Sequence, residues 1–448
     1  MSHKKSLLAP SKVKSSLKSH SYIALWFSAL LYLICISGAI VVFFEEFERL
    51  EQPHIEEYSH FPAENIQPAM DEYIQRIGKT PIASYIVLPT EGFPRTHITD
   101  GIDEWYLNQD GSFSAAVTTP WTGMLKELHT NLHLPHIIGM TLVGFFGIVL
   151  FSLIISGVLS HPKLFKDLFF LRRNRSARLK QTDWHNRLSV WGLPFHLMIA
   201  ITGAFIGLSS VLLSITALGF FNNDTEAVLE AIYGGDPIIQ NSGGKINYSE
   251  AFRQLALQDP EAEPIYLVVH NMGTEKQLLE IAATLPERLI YSEMYRFNDD
   301  GQFIDKQGMS DGPIGRQASY STYRLHFGHF DSFWVKPLYF LMGLMLSLMA
   351  VYGMNIWFAR RPHRNWINNA WQGWVWGIPI ALVLSAITSL ISLNPFIVFY
   401  GSLILLLVIN VQYGERFNCL MVMRYLLISS VLVLILAATI SGFYSSRS

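Results

Sequence analysis

The segment His20-Ser-Tyr-Ile-Ala-Leu-Trp-Phe-Ser-Ala-Leu-Leu-Tyr-Leu-Ile-Cys-Ile-Ser-Gly-Ala-Ile-Val-Val42 decides the architecture. It carries no Asp, Glu, Lys or Arg, and a helix of about 20 apolar residues crosses a bilayer. The acidic residues Glu45, Glu46 and Glu48 follow it in place of a small-residue cleavage site, so it reads as an uncleaved anchor. Six further stretches, 137–159, 188–213, 335–358, 373–393, 395–413 and 424–443, read the same way. With 21–44 they predict a polytopic α-helical membrane protein of about seven transmembrane helices.

Composition agrees. Only 15% of the 448 residues are charged, against roughly 25% in soluble proteins. A net charge of -2 gives no field for nucleic acid. The two cysteines, Cys35 and Cys419, exclude a disulfide framework, iron–sulfur clusters and CxxCH haem attachment. Histidine, with 15 copies, is the abundant ligand type.

Lysine and arginine set the expected topology. They collect at Lys4, Lys5, Lys12, Lys14 and Lys18, again from Lys163 to Arg187, at Arg360, Arg361 and Arg364, and at Arg416 and Arg424. This alternation predicts a cytoplasmic N-terminus and a C-terminus on the other side. The long loops 45–134 and 214–328 then lie outside the cytoplasm. Each reads as a small α+β unit. In the first, 71–78 is helical, Ser84–Leu88 is a strand, and Asp110-Gly111 closes a hairpin from Glu104–Leu107 through a tight primed turn. In the second, 249–257 is helical, Ile265–Val269 is a strand, and Asp300-Gly301 closes the hairpin. Neither loop holds a GxSxG, HExxH or P-loop motif.

The plan is duplicated. His20 and Trp26 match His185 and Trp191, and Gly38 matches Gly203. Leu128-His129 matches Leu325-His326, and Gly157 matches Gly353. His20 and His185 stand at cytoplasmic helix starts, His129 and His326 before the helices that return from outside. One histidine pair at each membrane face is what two stacked bis-histidine b haems need. A lone histidine at a helix end is more often an interfacial or capping residue, and the matched repeat positions weigh against that reading. His133 and His136 lie within two turns of His129 and are substitutes for it as ligand. His329, three residues after His326, shares its face if the helix continues. His196 lies inside the third span, near three turns past His185 and so on the same side. Its repeat mate is Leu31, which leaves it open between haem contact and buried polar residue. His54, His60, His97 and His270 are surface residues or contacts for a metal substrate. Trp26, Trp191 and Trp334 read as interfacial anchors.

The ordered set of motifs, His20-x5-Trp26, Ser37-Gly38-Ala39, Leu128-His129, Ser156-Gly157, Trp184-His185, Thr202-Gly203-Ala204 and Leu325-His326-Phe327-Gly328, resembles the PepSY-associated transmembrane helix family over about residues 15–362. That family includes iron-regulated inner-membrane proteins and ferric-siderophore reductases. The resemblance implies a bacterial inner-membrane protein with two PepSY-like periplasmic domains, inserted between the first and second and between the third and fourth helices. The corresponding partition is 1–44, 45–134, 135–213, 214–328, 329–362 and a three-helix membrane extension at 363–448. It also implies two b haems whose iron is held by His20, His129, His185 and His326. The implied activity is that of an oxidoreductase reducing a ferric siderophore or other iron chelate in the periplasm. With no Rossmann fingerprint in the chain, the donor is expected to be a quinol or a separate cytoplasmic reductase. The departures are the crowding of histidine at 129–136, the added His196, and three histidine-free C-terminal spans. A basic cluster of Lys126, Arg324 and Lys336 is either a landing site for an anionic chelate or ordinary solvated charge. The competing readings are a membrane-anchored PepSY binding or regulatory module, a metal or siderophore transporter, and copper or zinc ligation by the outer histidines.

Overall fold

The computed structural model describes residues 9–161, 176–235, 237, 239, 243–330, 334–414 and 419–445. The basic stretch expected at 163–175 and Arg416 lie outside them. In chain order the helices are α1 (Pro10–Val41), α2 (Phe44–Glu51), α3 (Ile66–Ile77), α4 (Pro120–Thr130), α5 (His136–Ser160), α6 (Ala177–Trp191), α7 (Leu193–Gly207) and α8 (Ser209–Phe220), followed by α9 (Thr225–Tyr233), α10 (Tyr248–Gln258), α11 (Ile314–Phe327), α12 (Val335–Phe358), α13 (Trp366–Ser389), α14 (Pro395–Tyr413) and α15 (Cys419–Ser445). Strands β1 (Ala83–Val87), β2 (Thr96–Thr99), β3 (Glu104–Leu107) and β4 (Phe113–Ala116) come from the first long loop, and β5 (Glu263–His270), β6 (Leu278–Thr284), β7 (Glu293–Phe297) and β8 (Phe303–Lys306) from the second. The chain divides into two compact units, one of residues 1–50, 119–210 and 332–448, the other of 51–118 and 211–331.

The first unit is helical. Among the described residues, α1, α5, α12, α13 and α14 are each long and apolar enough to cross a membrane, and α6 with α7 makes a sixth if the bent pair is one span. The seventh expected segment coincides with α15, of which the stretch Met421–Ile435 qualifies only as a shorter apolar helix. The third segment is not straight: α6 and α7 meet at 70°. Gly192 lies at the break, and Pro194 in the first turn of α7 has no N–H for the preceding helix. The register between His185 and His196 is therefore broken, and the expectation that they share one side does not carry over. Helices α5 and α7 approach backbone to backbone, since a Cβ on Gly144 would lie 2.6 Å from the Gly207 carbonyl carbon. Side chains of α1, α4, α13 and α14 share one apolar core, including Tyr32, Leu33, Trp121, Leu125, Ile378 and Phe399.

The second unit is one antiparallel sheet in the order β4-β3-β2-β1-β5-β6-β7-β8. The two expected α+β units supply four strands each and are joined where β1 pairs with β5, from Ala83↔His270 to Val87↔Tyr266. Helices α3 and α10 cover one face, burying Met70, Tyr73, Ala251 and Leu255 against Ile86, Ile98, Leu267 and Ile281. The alternation of apolar residues with period two, seen in Ser84-Tyr-Ile-Val-Leu88 and Ile265-Tyr-Leu-Val-Val269, produces that buried face.

Both hairpins use one turn, and it is not the primed turn. Asn108 N–H donates to the Ser112 carbonyl and Gly111 N–H to the Asn108 carbonyl; Asn298, Gln302 and Gly301 repeat the pattern. Only the glycine has positive φ, 85° at Gly111 and 76° at Gly301, while the aspartates before them do not. A type I turn closed by a left-handed glycine is the three-residue hairpin loop.

Beside the first hairpin, the Asp100 carboxylate accepts from the Ile102 and Asp103 N–H groups at 3.0 Å each and pairs with Lys79 at 3.0 Å. Chiefly the Asp103 N–H, helped by Lys79, the Ile102 N–H and the Tyr73 hydroxyl, holds this carboxyl well below the usual range. A group depressed on folding contributes stability above its unfolded pKa and loses it as pH falls through the folded value. The thermal midpoint of the protein is therefore expected to fall as pH drops below about 4. Asp100→Asn should lower the midpoint at neutral pH and flatten that acid limb. An equal loss from the substitution at pH 3 and pH 7 contradicts the assignment.

Candidate functional site

Three of the repeat-matched histidines are held in the same way. His20, on α1, has Nδ1 3.0 Å from the Leu153 carbonyl of α5, and its ring faces Gly157. His185, on α6, has Nδ1 3.0 Å from the Met349 carbonyl of α12, and its ring faces Gly353. His129, on α4, has Nδ1 3.0 Å from the Ile34 carbonyl of α1, and its ring faces Gly38. In each case the accepting carbonyl stands four residues before the glycine. A carbonyl only accepts, so Nδ1 carries the proton and the imidazole lone pair lies on Nε2.

The structure brings two of these rings together. The His20 and His185 centroids are 6.2 Å apart, with planes inclined at 72°. Imidazole binds first-row metals at roughly 2.0–2.1 Å. With Nδ1 anchored in the way that orients metal-bound histidine, His20 and His185 are the residues that would hold a haem iron, each through Nε2.

Serine reinforces two of the three cradles. Ser156 Oγ donates to the Ser152 carbonyl at 2.7 Å and reaches the Leu153 carbonyl at 3.2 Å, and it stands 3.2 Å from His20 Nδ1. Ser37 Oγ makes the same pair of contacts, to the Leu33 and Ile34 carbonyls. Thr202, before Gly203, contacts the Met198 and Ile199 carbonyls alike.

The remaining candidates separate. His326 lies on the last turn of α11 in the sheet unit, its centroid 5.8 Å from that of Phe327. The sequence repeat matches it in position to His129. His329 does not continue that helix, because α11 ends at Phe327 and Gly328 turns left-handed at φ 70°. Its ring instead stacks on Phe327 at 5.5 Å. His133 is corrected: Nε2 lies 2.7 Å from the Met124 carbonyl and Nδ1 2.8 Å from the Tyr400 hydroxyl. Nε2 must donate and Nδ1 must accept, so no lone pair is left for iron, and His133 ties the α4–α5 turn to α14. His136 is exposed at the start of α5. His196 is fully buried, with its ring over Gly192. Its nearest polar partner is the Met342 backbone of α12.

The basic cluster is engaged internally. Lys336 pairs with Glu45 and Glu46 at 2.7 Å each, and Lys126 with Glu48 at 3.1 Å. Arg324 donates to the carbonyls of His329, Arg288 and Ile290. Among the described residues no three His, Cys, Asp or Glu side chains converge as a metal site. Sequence reasoning missed the carbonyl acceptors, which carry no residue identity, and the role of Ser156. The Ser-Gly dipeptides at 37–38 and 156–157 were the available signal.

A helical membrane protein with a paired-histidine site and an antiparallel sheet is thus defined. The chain belongs to the PepSY-associated TM region family, whose profile spans residues 17–360. It is also 26% identical over 257 residues to an uncharacterized protein of Pseudomonas aeruginosa, covering 54% of this chain and 64% of that relative. The matched region thus spans somewhat under two thirds of the relative's length.

The cradle makes a contrast testable without any cofactor. A Cβ on Gly38 would lie 2.5 Å from His129 Cε1, whereas one on Gly353 would lie 3.5 Å from His185 Cε1. Gly38→Ala is expected to destabilise the detergent-solubilised protein by about 1–3 kcal/mol, since the ring must leave its carbonyl. Gly353→Ala should be neutral or slightly stabilising. Equal melting shifts for the two variants would refute the packing argument.

Proposed function

We propose that this chain is a di-haem b electron carrier of a bacterial inner membrane that reduces ferric iron, held in a siderophore or another chelate, outside the cytoplasm. The observation that supports this most is the His20–His185 pair, with centroids 6.2 Å apart and both Nδ1 atoms anchored on carbonyls. The repeat extends the reading to His129 and His326 as ligands of a second haem. In this reading seven helical segments cross the membrane, the lysine-rich N-terminus is cytoplasmic, the C-terminus is periplasmic, and the sheet unit serves the periplasm. The distribution of lysine and arginine supports that orientation.

Bound b haem supplies one-electron iron chemistry whose potential the protein tunes. The chain's own residues do the rest. Donation from Nδ1 of His20 and His185 to the Leu153 and Met349 carbonyls fixes each tautomer and raises the basicity of Nε2. Gly157 and Gly353 leave the rings room in which to sit. Oxygen ligands hold ferric iron more tightly than ferrous iron because the attraction scales with charge, so adding one electron loosens the chelate.

The test is a dithionite-reduced minus oxidised visible spectrum of the purified protein with a pyridine haemochrome count. We expect low-spin b-type bands at about two haems per chain, with one lost in His185→Ala. His133→Ala should keep both haems while lowering the melting temperature. A colourless protein from haem-replete cells would sink the proposal.

A further inference from the structure

An inner haem needs a reductant, and a groove beside His20 has the chemistry to receive one. It is an open groove between α1 and α5 that offers about 510 Å³, within the roughly 300–1,000 Å³ typical of small-molecule sites. Its polar lining is Lys12 and the hydroxyls of Ser15, Ser16, Ser19, Ser152 and Ser156. Its opposite character comes from apolar side chains of α5, among them Phe151 and Ile155, which are 37% and 39% exposed. The groove thus opens on the outer surface of two helices long and apolar enough to cross a membrane.

Ser156 connects the groove to the ligand. Ser156 is one of the residues lining the groove, and its Oγ stands 3.2 Å from His20 Nδ1. The hydroxyl proton is committed to the Ser152 carbonyl, which leaves the oxygen two acceptor lone pairs. One serves His20 and the other is available to an O–H donor in the groove. Ser16 donates to the Ser156 carbonyl at 2.9 Å and braces the same turn of α5.

We propose that this groove binds a membrane quinol, which is the electron donor to the inner haem; the inference rests on the di-haem reading above. A lipid-soluble ring with hydroxyl groups matches a site that is apolar on one side and rich in hydroxyls on the other. Oxidation of one quinol to quinone breaks two O–H bonds and releases two electrons and two protons. The electrons would pass one at a time to a haem iron held by His20 and His185, which each quinol would reduce twice in succession, the iron passing its electron outward in between. Both protons leave the quinol O–H groups to solvent at the open mouth of the groove; Ser156 Oγ orients one O–H by accepting its hydrogen bond, and the Lys12 ammonium stabilises the quinolate anion left by the first departure. A phosphate headgroup would use Lys12 and the outer serines but gives no role to the Ser156–His20 contact.

The test is anaerobic reduction of the ferric holoprotein by decylubiquinol, followed by the haem α band. The wild type should be reduced. Ile155→Trp, which fills the groove, and Ser156→Ala, which removes the acceptor without adding bulk, should each slow reduction on the order of tenfold. Full reduction by dithionite should be unchanged in Ile155→Trp, and a pyridine haemochrome count of Ser156→Ala normalises its rate to the haem it retains after losing the contact with His20. Wild-type rates in both variants, or reduction by dithionite but never by quinol, would overturn the proposal. Should the protein prove haem-free, equilibrium dialysis with oxidised decylubiquinone still decides the groove. Binding to wild type and not to Ile155→Trp supports it. No binding, or displacement of the quinone by phosphatidylglycerol vesicles, overturns it in favour of an empty groove or a headgroup site.

Discussion

The hydrogen bond from a histidine Nδ1 to a carbonyl inside a neighbouring helix organises the helical unit. A helical carbonyl at position i already accepts from the N–H of i+4. A second donor must approach that oxygen from the side, over the residue at i+4, and a Cβ there stands in the way. Glycine at i+4 removes it. Ile34, Leu153 and Met349 are each followed four residues on by Gly38, Gly157 and Gly353, with a histidine ring lying over the glycine; the demand is strict at Gly38, where a Cβ would lie 2.5 Å from the ring, and relaxed at Gly353, where it would lie 3.5 Å away. The arrangement needs three things at once: an orienting carbonyl, a vacated Cβ and a ring presented by a second helix. Its recurrence on α1, α5 and α12 ties the helix packing to ring orientation, because no helix can shift without moving a ring off its acceptor.

Much of this was legible in the sequence. The apolar segments, the duplication, and the histidine and glycine positions all came from pattern and spacing. The duplication is visible in the structure down to the hairpin turns, where Asn108-x-Asp-Gly111 and Asn298-x-Asp-Gly301 close the same loop. The turn type itself was misread, because Asp-Gly is compatible with a primed two-residue turn and with a type I turn capped by a left-handed glycine. The asparagine two residues earlier distinguishes them here, as its backbone is bonded to both the glycine and the residue after it.

Other features were illegible for physical reasons. Strands β2 and β6 lie in stretches with weak alternation, Thr96-His-Ile-Thr99 and Leu278–Thr284, and are fixed by pairing on both sides. The joining of the two loops at β1 and β5 is a non-local pairing, which no local pattern encodes. The break at Gly192 was signalled by Pro194, yet the surrounding hydrophobicity reads as one continuous span. His133 looked equivalent to His129 by proximity. Only its two partners, Met124 and Tyr400, show that one histidine of the crowd is structural.

Those partners also give the C-terminal extension a physical role. It contains no histidine after position 363, yet it is attached at the elements that carry the site. Trp121 Nε1 on α4 donates to the Leu382 carbonyl and the Ser385 hydroxyl of α13. The Tyr32 hydroxyl on α1 donates to the Val375 carbonyl, and Trp374 Nε1 returns a bond to the Ala29 carbonyl. Tyr400 on α14 holds His133, four residues past His129. Helix α4 is short, eleven residues from Pro120 to Thr130, and helices of that length are marginal without tertiary packing. Clamping it by Trp121 at one end and the His133 turn at the other fixes the angle at which His129 meets the Ile34 carbonyl. The extension therefore acts on the site by holding α4 against α1, and needs no ligand of its own to do so.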